Sequence, residues 1–230
     1  MGVFLNGGLQ VDVNLQLVRE FFELNGFSVL TNWQQSFWRE RANVGEGLPE
    51  TGTQLFVDNT HPVVMGDLPT VLGAADVSGI DRAVVHVRAW HADRFYPSVI
   101  ESSPVLQNFR NDRVLAVARH VFMDQPYATV LVISELPVTM DQRQRSLSLL
   151  QDAGIDCLIE FPVLLRSVLD RIGVDGNYAA SPTLQTLRLL KRYRFIRNQQ
   201  LEFSFPTEPP TPTHPPFVDT ADAVTEDERE

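Results

Sequence analysis

The sequence predicts an α/β domain of three layers built on a central mixed sheet. Residues 82–90 (RAVVHVRAW) and 128–134 (ATVLVIS) are short, apolar, β-branched runs bounded by polar residues, the pattern of strands covered on both faces. Segments with helical apolar periodicity separate the later strands, which implies crossovers and parallel pairing there. The earlier strands are joined by short or irregular segments, so the sheet is mixed. A chain of 230 residues, 43% hydrophobic and 21% charged, is long enough to bury a core of this kind.

The first helix is expected from Asp12 or Asn14, either of which can cap it, through the apolar stripe Leu15, Val18, Phe21, Phe22 and Leu24. Asn25-Gly26 ends it, because glycine takes the left-handed conformation after a helix at little cost. FSVL (27–30) reads as a strand, and an irregular polar stretch containing Trp33, Phe37 and Trp38 follows over 32–52. TQLFV (53–57) is the second strand, closed by Asp58-Asn59, and residues 67–79 fit no single element. Residues 82–90 form the third strand. Residues 104–123 carry helical spacing through Leu106, Phe109, Val114, Leu115, Ala118 and Val121, and 128–134 form the fourth strand. Thr139 and Gln142 make a T-x-x-Q capping box for the next helix, which Gly154 ends. A strand over 155–160, a helix over 161–172 stopped by Gly173, and a last helix opened by Ser181-Pro182 and running to about residue 199 complete the order. The order is αβββαβ with further βα decoration.

Residues 206–230 are a different kind of polymer. Six prolines remove backbone donors and favour extended chain, and seven carboxylates stand against Arg229. This tail is expected to be disordered, and to compete with polyanions for the basic last helix. It carries −6 of the net −10, so residues 1–205 carry only −4 and an anionic partner is not excluded by charge. One cysteine, Cys157, excludes an intramolecular disulfide framework and a cysteine zinc cage. Its place in an apolar strand suits a core residue better than a nucleophile. No apolar run reaches a membrane span and no signal-peptide pattern opens the chain, so a cytoplasmic location without membrane partners is expected. There is no glycine-rich phosphate loop, nucleophile elbow or H-E-x-x-H helix.

The element order, together with the segment ATVLVISELPVTMDQRQRSLSLLQDAGIDCLIEFPVLLRSVLDRI, resembles the PD-(D/E)XK nuclease-like superfamily over about residues 11–172, so that 1–205 is expected to be a restriction-endonuclease-like domain. The resemblance implies a divalent-cation site made from an acid on the second strand and a (D/E)-x-K motif on the third. Its carboxylates hold the metal, the metal activates a water, and the lysine positions that water. In this chain the first place falls at Gln54 and the motif at His86-Val87-Arg88. Both carboxylates are missing. Arg88 stays protonated, so it can hold a phosphate but cannot act as a base. Histidine suits magnesium poorly, since magnesium prefers oxygen.

The expected function is therefore a catalytically inactive nuclease-like domain that binds nucleic acid or another partner, with no cofactor. One alternative is an active Mg2+-dependent nuclease whose acid has migrated, with Glu101 as the first candidate and Asp76, Asp81 and Asp93 nearby in sequence. A protein–protein adaptor is the other. His86, Arg88 and Trp90 share a strand face and are either a remnant anion cleft or core. His86 and His91 are poorly spaced for zinc. On the last helix Arg188, Lys191, Arg192, Arg194 and Arg197, interleaved with Tyr193 and Phe195, either bind the phosphate backbone of DNA or RNA or form a solvated face.

Overall fold

The computed structural model describes residues 12–30, 54–62, 67–89, 91, 94–107 and 109–196. The aromatic stretch at 32–52, Trp90, Asp93, Arg197 and the tail at 206–230 lie outside the described residues. Helix α1 (Val13–Leu24) starts where expected: Asp12 Oδ1 accepts from Asn14 N at 2.9 Å and from Leu15 N at 3.4 Å. Its spacing buries Leu17, Val18, Phe21 and Phe22, and Gly26 follows its end at φ +86°.

Five strands form one mixed sheet in sequence order: β1 (Phe27–Val29), β2 (Gln54–Asn59), β3 (Arg82–Arg88), β4 (Ala128–Ile133) and β5 (Cys157–Glu160). The first three make an antiparallel meander, while β3, β4 and β5 run parallel. Between β3 and β4 lie α2 (Pro97–Ser102) and α3 (Asp112–Phe122); α4 (Met140–Asp152) joins β4 to β5; α5 (Phe161–Arg171) and α6 (Pro182–Arg192) follow. All these elements belong to the compact unit Met1–Ile196.

Strand alternation divides the core into layers. On one face Val85, Val87, Val130, Val132 and Ile159 form a single layer with Leu17, Val18 and Phe21 of α1, Leu164 and Val168 of α5 and Leu184 of α6. On the other, Phe56 and Val84 meet Val114, Ala118 and Phe122 of α3, and Leu131, Ile133 and Leu158 meet Leu150, Phe95 and Phe109. The three-layer α/β architecture is the one the sequence predicts.

Three local expectations change. Residues 104–123 are not one helix: a single 3-10 turn spans Pro104–Leu106, and α3 begins only after Asn111, whose Oδ1 accepts from Val114 N at 3.0 Å. Leu106 and Phe109 are apolar because they pack on the sheet, not because they share the α3 stripe. Thr139 Oγ1 donates to Gln142 Oε1 at 3.1 Å instead of closing a box onto the backbone. The last helix ends at Arg192, and Arg194 has φ +60°, so Arg194 lies past it. Within the segment left open at 67–79, residues 70–72 line the outer edge of β5, where Leu158 N donates to Thr70 O at 2.7 Å and Leu72 N to Leu158 O at 2.8 Å, and Asp76–Gly79 form a 3-10 turn.

Candidate functional site

The antiparallel register of β2 and β3 sets Gln54 opposite His86. These are the two places where the family resemblance puts carboxylates, and they are side-chain neighbours: Gln54 Nε2 donates to His86 Nδ1 at 3.3 Å. The imidazole is 1% exposed and lies 5.0 Å from the Phe109 ring, centroid to centroid, edge to face. Its Nε2 has no hydrogen-bond partner among the described residues. Burial first, and then the nearby Arg88 charge, pull His86 from 6.5 down to about 3, so it is neutral at physiological pH. Arg88, two residues on and 8% exposed, shares this face and donates from Nη1 to Val87 O at 3.0 Å.

This donor set does not fit magnesium. The amide nitrogen of Gln54 is turned to the imidazole, the imidazole is nitrogen, and neither group carries negative charge. Among the described residues no three His, Cys, Asp or Glu side chains converge as metal ligands. Glu101 lies on α2, where its carboxylate pairs with Arg145 at 2.7 Å and its carbonyl accepts from Gln107. Asp81 precedes the far end of β3, roughly 16 Å along the strand from His86 at about 3.3 Å per residue. Asp76 accepts from Gly73 N at 2.8 Å within its own turn. His91 donates from Nε2 to Asn14 Oδ1 at 2.9 Å and belongs to a different surface from His86.

The basic last helix has a structural use. Lys191 Nζ donates to Leu169 O at 2.8 Å and Ile172 O at 2.9 Å, closing the carboxyl end of α5, where the helix dipole favours a cation. Arg171 of α5 closes α1 in the same manner, donating to Leu24 O at 2.8 Å. Arg188 Nη1 reaches Val174 O at 3.4 Å, and Arg192 lies 3.6 Å from Asp175. At the other end of α6, Ser181 Oγ accepts from Leu184 N and donates to Glu20, which is buried in α1.

Sequence reasoning missed a cleft of about 470 Å³ where β3, β4 and β5 end. Arg94 follows β3, Ser134 and Glu135 follow β4, and Phe161 and Pro162 open α5 directly after β5. The signal available was positional: in an open α/β sheet, ligands bind outside the carboxyl ends of the parallel strands.

No family model, curated protein or solved structure matches this chain.

Proposed function

We propose that this chain is a nuclease-like module without hydrolytic chemistry, and that it works by binding a partner. The observation that supports this reading most is the uncharged Gln54–His86 pair, its imidazole buried against Phe109, where a working centre needs two carboxylates around a metal. The antiparallel β1–β2–β3 meander, continued by parallel β4, fits the αβββαβ order of the resemblance.

The partner expected from the resemblance is DNA or RNA, reached through α6 and the residues after it. A second reading, a protein partner, is favoured at the same place. Arg188 and Lys191 already donate to internal carbonyls and Arg192 stands 3.6 Å from Asp175, while Leu189, Tyr193 and Phe195 are 40%, 68% and 79% exposed. Exposed apolar and aromatic groups beside cations suit a protein surface.

Fluorescence anisotropy with labelled single- and double-stranded DNA and RNA separates the two. A phosphate-backbone interface gives an affinity whose logarithm falls linearly with log salt and which disappears when Arg192 and Arg194 are both changed to Glu. Absence of binding to every probe at low salt removes the nucleic-acid reading and leaves the protein partner.

A further inference from the structure

The cleft at the carboxyl ends of β3–β5 is chemically distinct from the Gln54–His86 row. Leu165, which lines it, packs with the α1 and α5 layer, and His91 at its rim is held by Asn14 of α1. His86 faces the opposite side of the sheet, against Phe109.

The rim is tied together before any ligand arrives. Phe95 N donates to Glu135 O at 2.9 Å, Phe161 N donates to Ser134 O at 3.2 Å, and Arg94 Nη1 donates to Leu136 O at 3.1 Å. Leu136 N in turn donates to Glu160 Oε1 at 2.9 Å, and Arg143 holds the other Glu160 oxygen at 2.8 Å. Arg94 and Phe95, Ser134 to Leu136, and Glu160 and Phe161 are thus fixed to one another. Phe161, Pro162 and Leu165 give the cleft an apolar wall, and its volume falls within the range of small-molecule sites.

Beside His91, Ser134 and Glu135, the polar lining holds the guanidinium of Arg94. Its Nη2 lies 2.6 Å from Glu135 Oε2, with both side chains about two-fifths exposed. The two contacts shown for the guanidinium use two of its five N–H groups. A carboxylate already sits on this arginine, supplied by the protein itself, and it marks the kind of group the arginine takes. An exposed pair of this sort is weak and exchanges readily for another carboxylate. The amino end of α5 adds partial positive charge at the same rim.

We infer that this cleft binds a small organic carboxylate with an apolar body, the carboxylate on Arg94 in place of Glu135 and the body against Phe161, Pro162 and Leu165. The inference does not depend on the nuclease-like reading.

Phenylacetate and its neutral isostere phenylacetamide are suitable probes, titrated into the full chain and followed by amide chemical shifts. The acid is expected to saturate at millimolar concentration, with shifts centred on Arg94, Glu135 and residues 161–165, and the amide to bind at least about tenfold more weakly. Arg94→Gln is expected to weaken phenylacetate about tenfold, and Glu135→Gln to tighten it by freeing the arginine. A purely structural pair gives no such opposition of signs. Equal binding of acid and amide, shifts centred elsewhere, or an affinity unmoved in both variants overturns the assignment.

Discussion

Taking the protein from pH 7 to pH 3 is expected to remove on the order of 4–5 kcal/mol of stability through His86 alone. In the folded chain burial and Arg88 hold the imidazole at about 3, against an ordinary 6.5. The unfolded chain therefore takes up a proton near pH 6.5, whereas the folded chain resists it until about pH 3. Between those values the unfolded state binds more protons, so stability falls as pH falls. The stability linked to the neutral imidazole is fully present above about pH 6.5, and the loss reaches about 3 kcal/mol by pH 4. Carboxylates titrate in part of the same window, so the quantity to measure is a difference. Urea unfolding of the protein and of His86→Leu at pH 7, 5 and 4 gives it. The native protein is expected to lose ground against the variant steadily on acidification. A gap between the two that stays constant with pH contradicts a buried, neutral His86.

Phe22→Ala is expected to cost about 3–5 kcal/mol, the range for deleting a buried aromatic ring from a core that collapses only in part. Phe22 is 0% exposed and lies edge to face between Phe21 at 5.3 Å and Phe27 at 5.2 Å. That contact joins α1 to the first strand of the sheet. Urea unfolding should show a lower midpoint with an unchanged slope, since the surface exposed on unfolding is nearly the same. A loss below about 1 kcal/mol shows that α1 is not part of the principal core.

The strands were legible because burial on both faces leaves a continuous apolar signature, as in β3 and β4. The αβββαβ order then followed from which gaps carried helical spacing. Residues 104–123 were not legible as two elements, since Leu106 and Phe109 happen to fall in phase with Val114 and Ala118 while facing a different neighbour. The facing of Gln54 and His86 could be expected from β2 and β3 being consecutive strands, but the burial of His86 is not legible there, since Phe109 packs on it from a turn the periodicity concealed. On α6 the sequence shows charge but not acceptors. The carbonyls that take Lys191 belong to the end of α5, brought into reach only by the fold. Arg94 and Glu135 are separated by 41 positions, and nothing local marks them as partners.

The most direct test of a module that binds without hydrolysing is incubation of the full chain with labelled single- and double-stranded DNA and RNA in magnesium or manganese. A row of Gln54, His86 and Arg88 with no carboxylate predicts that every substrate stays intact at either metal. Cleavage that is abolished by Glu101→Gln contradicts this account, because it places a working acid on α2 and a metal beside it.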